Sequence, residues 1–178
     1  SVYNTYVRIA DKLTHPHFFT AHIFFDDAFE VSDVCDEWKQ VNDFVRSFLD
    51  CINAAASQVH KKQIKLPSPD MIPTPYGGQM VYVLPGKTKM YVHLKDNEKI
   101  RHRKRWSQVM YMYYLLGHRL ESSAIQPERR QVKAENTYIL ALDGDIDFQP
   151  SSVQLLIDLM KKDKTLGAAC GRSKSLFF

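Results

Sequence analysis

The chain has 178 residues, of which 44% are hydrophobic and 25% charged, the composition of a globular domain with a single hydrophobic core. Its net charge of +4 is too small to indicate a nucleic-acid or membrane partner unless the cations cluster. Three widely spaced cysteines without a CxxC pair indicate reduced thiols, and they exclude a disulfide framework and a zinc knuckle.

The first clear elements are a strand and a long helix. The apolar run Ala21–Phe25 predicts a short buried strand, which ends at Asp26 and Asp27. Apolar residues then recur at spacings of three and four over residues 38–59, a pattern that predicts an amphipathic helix. The two aspartates would therefore lie at the carboxyl end of a buried strand.

A proline-rich connector, residues 67–78, separates that helix from two strand-like runs at residues 80–84 and 89–94. Between the runs stand Pro85 and Gly86. A type II turn favours this pair, because proline sets the first φ and glycine accepts a positive φ at the next position. The runs therefore predict a β-hairpin.

A cluster of cations leads into a second predicted helix, whose apolar stripe begins at Trp106 and continues to Leu120. The cluster consists of Lys99, Arg101, Arg103, Lys104 and Arg105. Cations in the first turn of a helix oppose its dipole, at roughly 0.3–1 kcal/mol each, unless an anion lies among them. The cluster therefore favours a diphosphate or carboxylate ligand, although a solvated basic face and a nucleic-acid patch are alternatives.

The last third predicts a βαβ unit. Residues 138–142 form a continuous apolar run typical of a strand buried in a parallel sheet. A heavily buried helix is predicted to begin at Pro150, with Lys161 and Lys162 in its last turn and Gly167 as its end, and a further strand is predicted at residues 168–170. Such a unit gives a parallel sheet with a right-handed crossover.

Three aspartates follow the strand predicted at residues 138–142: Asp143, Asp145 and Asp147. Ligands of open α/β sheets bind beyond the carboxyl ends of strands. Carboxylate oxygens at that place suit Mg²⁺ or Mn²⁺, which shares its coordination shell with substrate phosphates. The pattern is short, so a simple turn at a strand-to-helix junction explains it equally well.

The wording of several stretches resembles the arthropod and nematode branch of the chitin synthases. These stretches are HIFFDDAF at residues 22–29, IPTPYGG at 72–78, LPG at 84–86, KIRHRKRWSQVMYMYY at 99–114, ENT at 135–137, LDGDIDFQP at 142–150 and LGAACGR at 166–172. The resemblance covers about residues 20–172 in one register, and it makes the metal interpretation of Asp143 and Asp145 the favoured one.

The resemblance implies an α/β fold, namely a partial GT-A (Rossmann-like) sheet flanked by helices, over a partial glycosyltransferase domain at residues 1–178. Such an enzyme is a family 2 glycosyltransferase that transfers N-acetylglucosamine from UDP-N-acetylglucosamine to a growing chitin chain with inversion. By resemblance, Asp143 and Asp145 hold Mg²⁺ or Mn²⁺ at the UDP diphosphate. Asp26 faces the uridine, with Asp27 as the fallback.

By the same resemblance, Lys104 and Arg105 lie against the diphosphate. The family also implies a multi-pass protein of the plasma membrane, anchored by segments absent from this chain, with this segment on the cytoplasmic side and no nucleic-acid partner. Residues 1–20 and 173–178 do not match the family. The family's general base lies beyond residue 178 in its pattern, so we expect the isolated chain to be inactive.

Three other classes fit parts of the sequence. A hyaluronan or cellulose synthase is the nearest alternative within family 2, and only the wording of the motifs argues against it. A haloacid-dehalogenase phosphatase also places a DxD after an apolar strand, but Asp147 and Phe148 stand where that class usually needs Thr or Val. A basic nucleic-acid or anion-binding module would use residues 99–105.

Overall fold

A computed structural model describes residues 18–30, 40–101, 103–118, 126–143 and 149–171. The chain divides into two compact units. The larger unit is Phe19–Thr137, and the smaller one combines Ser1–Phe18 with Tyr138–Phe178. The expectation of one domain over the whole chain stays a prediction, and the two units are described separately below.

The larger unit is built on a four-stranded mixed sheet. Its strands are β1 (Ala21–Phe25), β2 (Asp70–Thr74), β3 (Gly77–Val83) and β4 (Lys89–Lys95), in the spatial order β1-β4-β3-β2. β1 runs parallel to β4, whereas the β4–β3 and β3–β2 pairs are antiparallel. The predicted α/β class is confirmed, and this sheet is compatible with part of a Rossmann-like fold.

The predicted hairpin is confirmed as β3 and β4, and its turn has the expected chemistry. Gly86 has a φ of +86°, and the Lys87 N–H donates to the Leu84 carbonyl over 3.0 Å. A type II turn requires this combination of a positive φ at its third residue and a hydrogen bond from the fourth residue to the first.

The proline-rich connector contains a strand, which corrects the prediction of a plain linker. β2 lies at the edge of the sheet, with Pro73 opposite Gly78 of β3. An edge strand tolerates proline because a missing N–H on its outer side removes no ladder hydrogen bond. The prolines and glycines of this stretch are typical of turns, so the sequence pattern did not indicate a strand here.

One face of the sheet is apolar and packs on helix α1 (Asp43–His60). The rings of Phe25 on β1 and Phe48 on α1 meet with centroids 5.4 Å apart. Buried residues in this layer are Val45, Ile52 and Ala56 of α1 and Met80, Met90, Val92 and Leu94 of the sheet. Burial of this stripe accounts for the helical periodicity in the sequence.

Helix α1 begins later than predicted. The Asn42 side chain accepts a hydrogen bond from the Val45 N–H over 3.1 Å, and this N-cap places the helix start at Asp43. Val41 instead forms an isolated bridge with Phe29. Residues 38 and 39 lie outside the described residues.

The opposite face of the sheet is covered by helix α2 (Lys104–Met112) and the π-helix that continues it (Tyr113–His118). Ser107 of α2 bonds to Lys95 over 2.8 Å, and the rings of Tyr111 and Phe24 lie 5.7 Å apart. The sheet of the larger unit is therefore flanked by helices on both faces.

The orientation of α2 is a correction. Its predicted apolar stripe is not its buried side, since Trp106, Val109 and Leu116 remain 41–43% exposed. The side facing the sheet is polar and aromatic instead, because this face of the sheet carries polar groups that require partners. A further helix, α3 (Pro127–Glu135), was not predicted from the sequence.

The smaller unit differs from the predicted βαβ arrangement. Helix α4 (Pro150–Lys162) is confirmed, but it is not heavily buried, since Leu155 is 69% exposed. Described residues 138–143 and 166–171 are irregular, so both predicted strands are wrong. An apolar run becomes a strand only when a neighbouring segment satisfies its backbone hydrogen bonds.

Among the described helices, none is both long enough and apolar enough to cross a bilayer.

Gly77 occupies a position that only glycine can fill. Its φ is +140°, and an added Cβ would overlap the Leu94 carbonyl oxygen and lie 3.1 Å from the Asp96 nitrogen. We expect Gly77→Ala to lower the free energy of unfolding by roughly 3 kcal/mol, because strain and a clash with backbone add together. Urea denaturation measures the change.

The matched control is Gly117→Ala, where nothing lies within 4 Å of the added Cβ. It should be neutral or slightly stabilising, since alanine favours helix over glycine. Equal effects of the two substitutions would contradict the close packing around Gly77.

Candidate functional site

The site begins with Asp26, the first residue after β1. Its Oδ1 accepts hydrogen bonds from the Lys95 ammonium and, over 2.9 Å, from the Ser107 hydroxyl. β1 and β4 are parallel, so Asp26 and Lys95 both lie at the carboxyl edge of the sheet. Ser107 reaches the same point from α2. The fold thereby joins two strand ends and one helix at a single carboxylate.

Burial is unequal within this ion pair. The Lys95 side chain is fully buried, whereas 39% of the Asp26 side chain is accessible to solvent. Burial alone would raise the pKa of Asp26, but hydrogen bonds from Lys95, Ser107 and the Arg103 backbone, together with the Lys95 charge, lower it below the usual value. Asp26 is therefore an ionised carboxylate at neutral pH. Its buried side is hydrogen-bonded to Lys95 and Ser107, and its other side is accessible to solvent.

The N-terminus of α2 lies at the same place. Arg103 is the N-cap residue, and its side chain makes no capping hydrogen bond, while its backbone N–H donates to Asp26. Lys104 and Arg105 follow in the first turn, and both are exposed. Asp26 thus supplies one anion at the basic helix start, and the exposed side chains of the first turn present positive charge to solvent.

A hydrogen-bonded cluster continues along the same face of the sheet. His93 is 1% exposed, its Nδ1 lies 2.7 Å from the Tyr76 hydroxyl, and its Nε2 lies 3.0 Å from His22 Nδ1. Burial raises the pKa of Tyr76 to about 12, so this hydroxyl keeps its proton. Both ring nitrogens of His93 therefore have a hydrogen-bonding partner within this cluster.

Two other predicted site residues have different surroundings. Asp27 is exposed, and its backbone carbonyl accepts a hydrogen bond from Asn42 over 2.8 Å, so it contributes to the start of α1. Asp143 is exposed in the smaller unit, and Asp145 lies outside the described residues. No group of three potential metal-ligating side chains occurs among the residues that the structure describes.

Lys95 and Ser107 were missed by the sequence analysis. The available signals were the alternation of Tyr91, His93 and Lys95 along β4, and the helical spacing of Ser107, Tyr111 and Tyr114. Polar groups at those spacings indicate a polar face between a strand and a helix. The apolar stripe of the same helix instead indicated that its apolar side packs on the sheet, which is wrong.

The larger unit can bind a ligand that combines hydrogen-bond donors with negative charge. The outer side of Asp26 accepts hydrogen bonds, and the cations at the start of α2 attract an anionic group. Nucleotides and nucleotide sugars have both features. The oriented carboxylate is the most specific part of this arrangement.

The comparisons with known proteins point to one family. The chain is 57% identical over 154 residues to chitin synthase chs-2 of Caenorhabditis elegans, covering 86% of this chain and 9% of that protein. It is 47% identical over 167 residues to a chitin synthase of Meloidogyne artiellia, covering 94% of this chain and 9% of that protein. It is also 47% identical over 152 residues to chitin synthase chs-1 of Caenorhabditis elegans, covering 85% and 12%.

No family model matches the chain, and no solved structure matches it. The chain spans about a tenth of the length of the curated relatives. Identity near one half, sustained over more than four fifths of this chain in three nematode proteins, places it in the chitin synthase family.

Proposed function

We propose that this chain forms part of the donor site of an enzyme that transfers N-acetylglucosamine from UDP-N-acetylglucosamine to a growing chitin chain. The observation that carries the proposal is the half-exposed Asp26 carboxylate, fixed beside the basic start of α2 at the carboxyl edge of the sheet. The chitin synthase relatives support the choice of donor and polymer.

In this proposal Asp26 accepts a hydrogen bond from the uracil ring, whose imide N–H is a donor that a carboxylate suits. Lys104 and Arg105 lie against the diphosphate and stabilise the charge that develops as UDP departs. Asp27 is the alternative contact to the nucleotide. These roles need an ionised Asp26, and its hydrogen bonds and the Lys95 charge keep its pKa below the usual value despite its burial.

Asp143 and Asp145 would hold Mg²⁺ or Mn²⁺. The exposed carboxylate of Asp143 fits a hard divalent cation that shares its shell with phosphate oxygens, and Asp145 supplies a second oxygen ligand of the same type. The bound cation would neutralise part of the charge on the diphosphate. We assign the general base to no residue of this chain.

The whole protein would be a plasma-membrane enzyme, with this segment on the cytoplasmic side where UDP-sugars are available. The membrane contact would come from segments other than the described helices. A growing chitin chain would be the acceptor.

The decisive experiment measures sugar incorporation by the full-length protein in membrane vesicles. We expect UDP-N-acetylglucosamine to give an insoluble polymer that chitinase degrades, and we expect UDP-glucose and UDP-glucuronate to give none. EDTA should stop incorporation, and added Mn²⁺ or Mg²⁺ should restore it. Chitinase-resistant polymer from another donor would favour a different polysaccharide synthase, and incorporation that EDTA does not affect would contradict the metal assignment.

One observation favours a second candidate, an anion-binding module that binds nucleic acid. The five cations of residues 99–105 are all exposed. The double substitution Lys104→Gln/Arg105→Gln separates the two functions, with Lys161→Gln/Lys162→Gln at the end of α4 as the matched control. We expect the first pair to lower kcat/KM for the donor about tenfold or more. Loss of salt-dependent oligonucleotide binding with unchanged donor kinetics would favour the second candidate.

A further inference from the structure

Lys95, Ser107 and Asp26 form a closed triangle of hydrogen bonds. The Lys95 ammonium donates to the Asp26 carboxylate and to the Ser107 hydroxyl, the latter over 2.8 Å. The Ser107 hydroxyl uses its one proton for Asp26 Oδ1 over 2.9 Å. Each group therefore has a partner of the correct type, and both contacts to the carboxylate reach the same oxygen.

The triangle costs desolvation free energy to form, and its two charged groups differ in burial. A fully buried ammonium loses all of its hydration, and an apolar residue of similar volume often stabilises a fold equally well. By contrast, 39% of the Asp26 side chain stays accessible to solvent. The buried partners therefore restrain the carboxylate from behind while its outer side can meet a ligand.

The triangle also connects Asp26 to the basic helix start. Ser107 lies in α2 three residues after Lys104, and the Arg103 backbone N–H donates to the same carboxylate. Movement of the first turn of α2 away from Asp26 would break two of these contacts. The carboxylate and the cations that follow Arg103 are thereby held in one fixed arrangement.

We propose that Lys95 and Ser107 are positioning residues for donor binding: they lock the Asp26 carboxylate in the orientation that meets the nucleotide and keep the first turn of α2 beside it. This inference rests on the proposed function. A carboxylate that is already oriented loses less conformational entropy when the ligand binds, so the effect belongs to donor affinity.

The test uses the full-length enzyme with Lys95→Met, Ser107→Ala and Ser107→Thr. Lys89→Met is the matched control, because Lys89 is an exposed lysine of the same strand. KM for UDP-N-acetylglucosamine, kcat, and the inhibition constant of UDP are measured for each enzyme, with its amount in the membrane determined by immunoblot.

We expect Lys95→Met to raise the donor KM and the UDP inhibition constant about tenfold together, and Ser107→Ala to raise both about fivefold. Ser107→Thr keeps the hydroxyl and should recover most of the affinity. A loss of uniform binding appears in KM, whereas kcat per enzyme molecule changes little. Lys89→Met should leave all three constants unchanged.

A purely structural role predicts a different pattern. Less folded enzyme would lower the activity per total protein and leave KM and the UDP inhibition constant unchanged, and this result for both Lys95→Met and Ser107→Ala would overturn the inference. Where Lys95→Met fails to accumulate, the Ser107 pair decides alone. An unchanged enzyme that does not use UDP-N-acetylglucosamine would contradict the proposed function itself, which is a separate outcome.

Discussion

Under the proposed function, Asp143→Asn or Asp145→Asn in the full-length protein is expected to reduce incorporation of N-acetylglucosamine by about 10²–10³-fold, the effect of removing one group that stabilises leaving-group charge. The amide has nearly the shape of the carboxylate but lacks its charge, and charge is what a divalent cation and a diphosphate respond to. Because Asp143 is exposed, its replacement creates no cavity. Calorimetry with UDP should show that affinity no longer depends on Mn²⁺.

The matched control is Asp158→Asn on α4. Asp158 is exposed and accepts a local hydrogen bond from Gln154 of the same helix over 2.7 Å. Its replacement should leave incorporation within about twofold, since surface substitutions away from special features change little. Unchanged Mn²⁺-dependent UDP affinity in Asp143→Asn and Asp145→Asn would remove the metal assignment.

The second large effect concerns stability. We expect Asp26→Asn to lower the free energy of unfolding of the 178-residue chain by about 3 kcal/mol, because it leaves the fully buried Lys95 ammonium without a counter-charge. Lys95→Met should cost less, roughly 1 kcal/mol, because water can hydrate the part-exposed Asp26 carboxylate. The double variant should be more stable than Asp26→Asn alone. Urea denaturation followed by tryptophan fluorescence measures all three.

The pH dependence of the free energy of unfolding tests the Asp26–Lys95 pair independently. The folded chain lowers the pKa of Asp26 below 3.8, so this group stabilises the fold above that pH, and the contribution is lost as pH falls through the lowered value. The difference in stability between the unchanged chain and Asp26→Asn should therefore be full at pH 6 and shrink below about pH 4. A difference that stays constant down to pH 2 would show that Asp26 is not paired with Lys95.

Local features of the fold were predictable from the sequence. The strand Ala21–Phe25, the hairpin of β3 and β4 and the helix start at Pro150 depend on neighbouring residues. The turn at Gly86 is the clearest case, because its positive φ follows from the residue types of the turn alone. The family was recognisable for a related reason, since long motifs keep their order and wording.

Features that depend on a distant partner were not predictable in this way. Residues 138–142 have the composition of a buried strand but no strand structure, and residues 70–74 have the composition of a linker but pair with β3. Strand formation is decided by whether another segment satisfies the backbone, and periodicity carries no information about that segment.

The candidate site likewise combines a residue that the sequence indicated with residues that only the tertiary structure brings to it. Asp26 was predicted from its place after a strand, whereas its partners Lys95 and Ser107 lie 69 and 81 residues further along the chain. The parallel pairing of β1 with β4 brings the first partner to the carboxylate, and the packing of α2 on the sheet brings the second. The orientation of the Asp26 carboxylate is thus a property of the tertiary structure, because only folding excludes water from Lys95 and places both donors behind one oxygen atom.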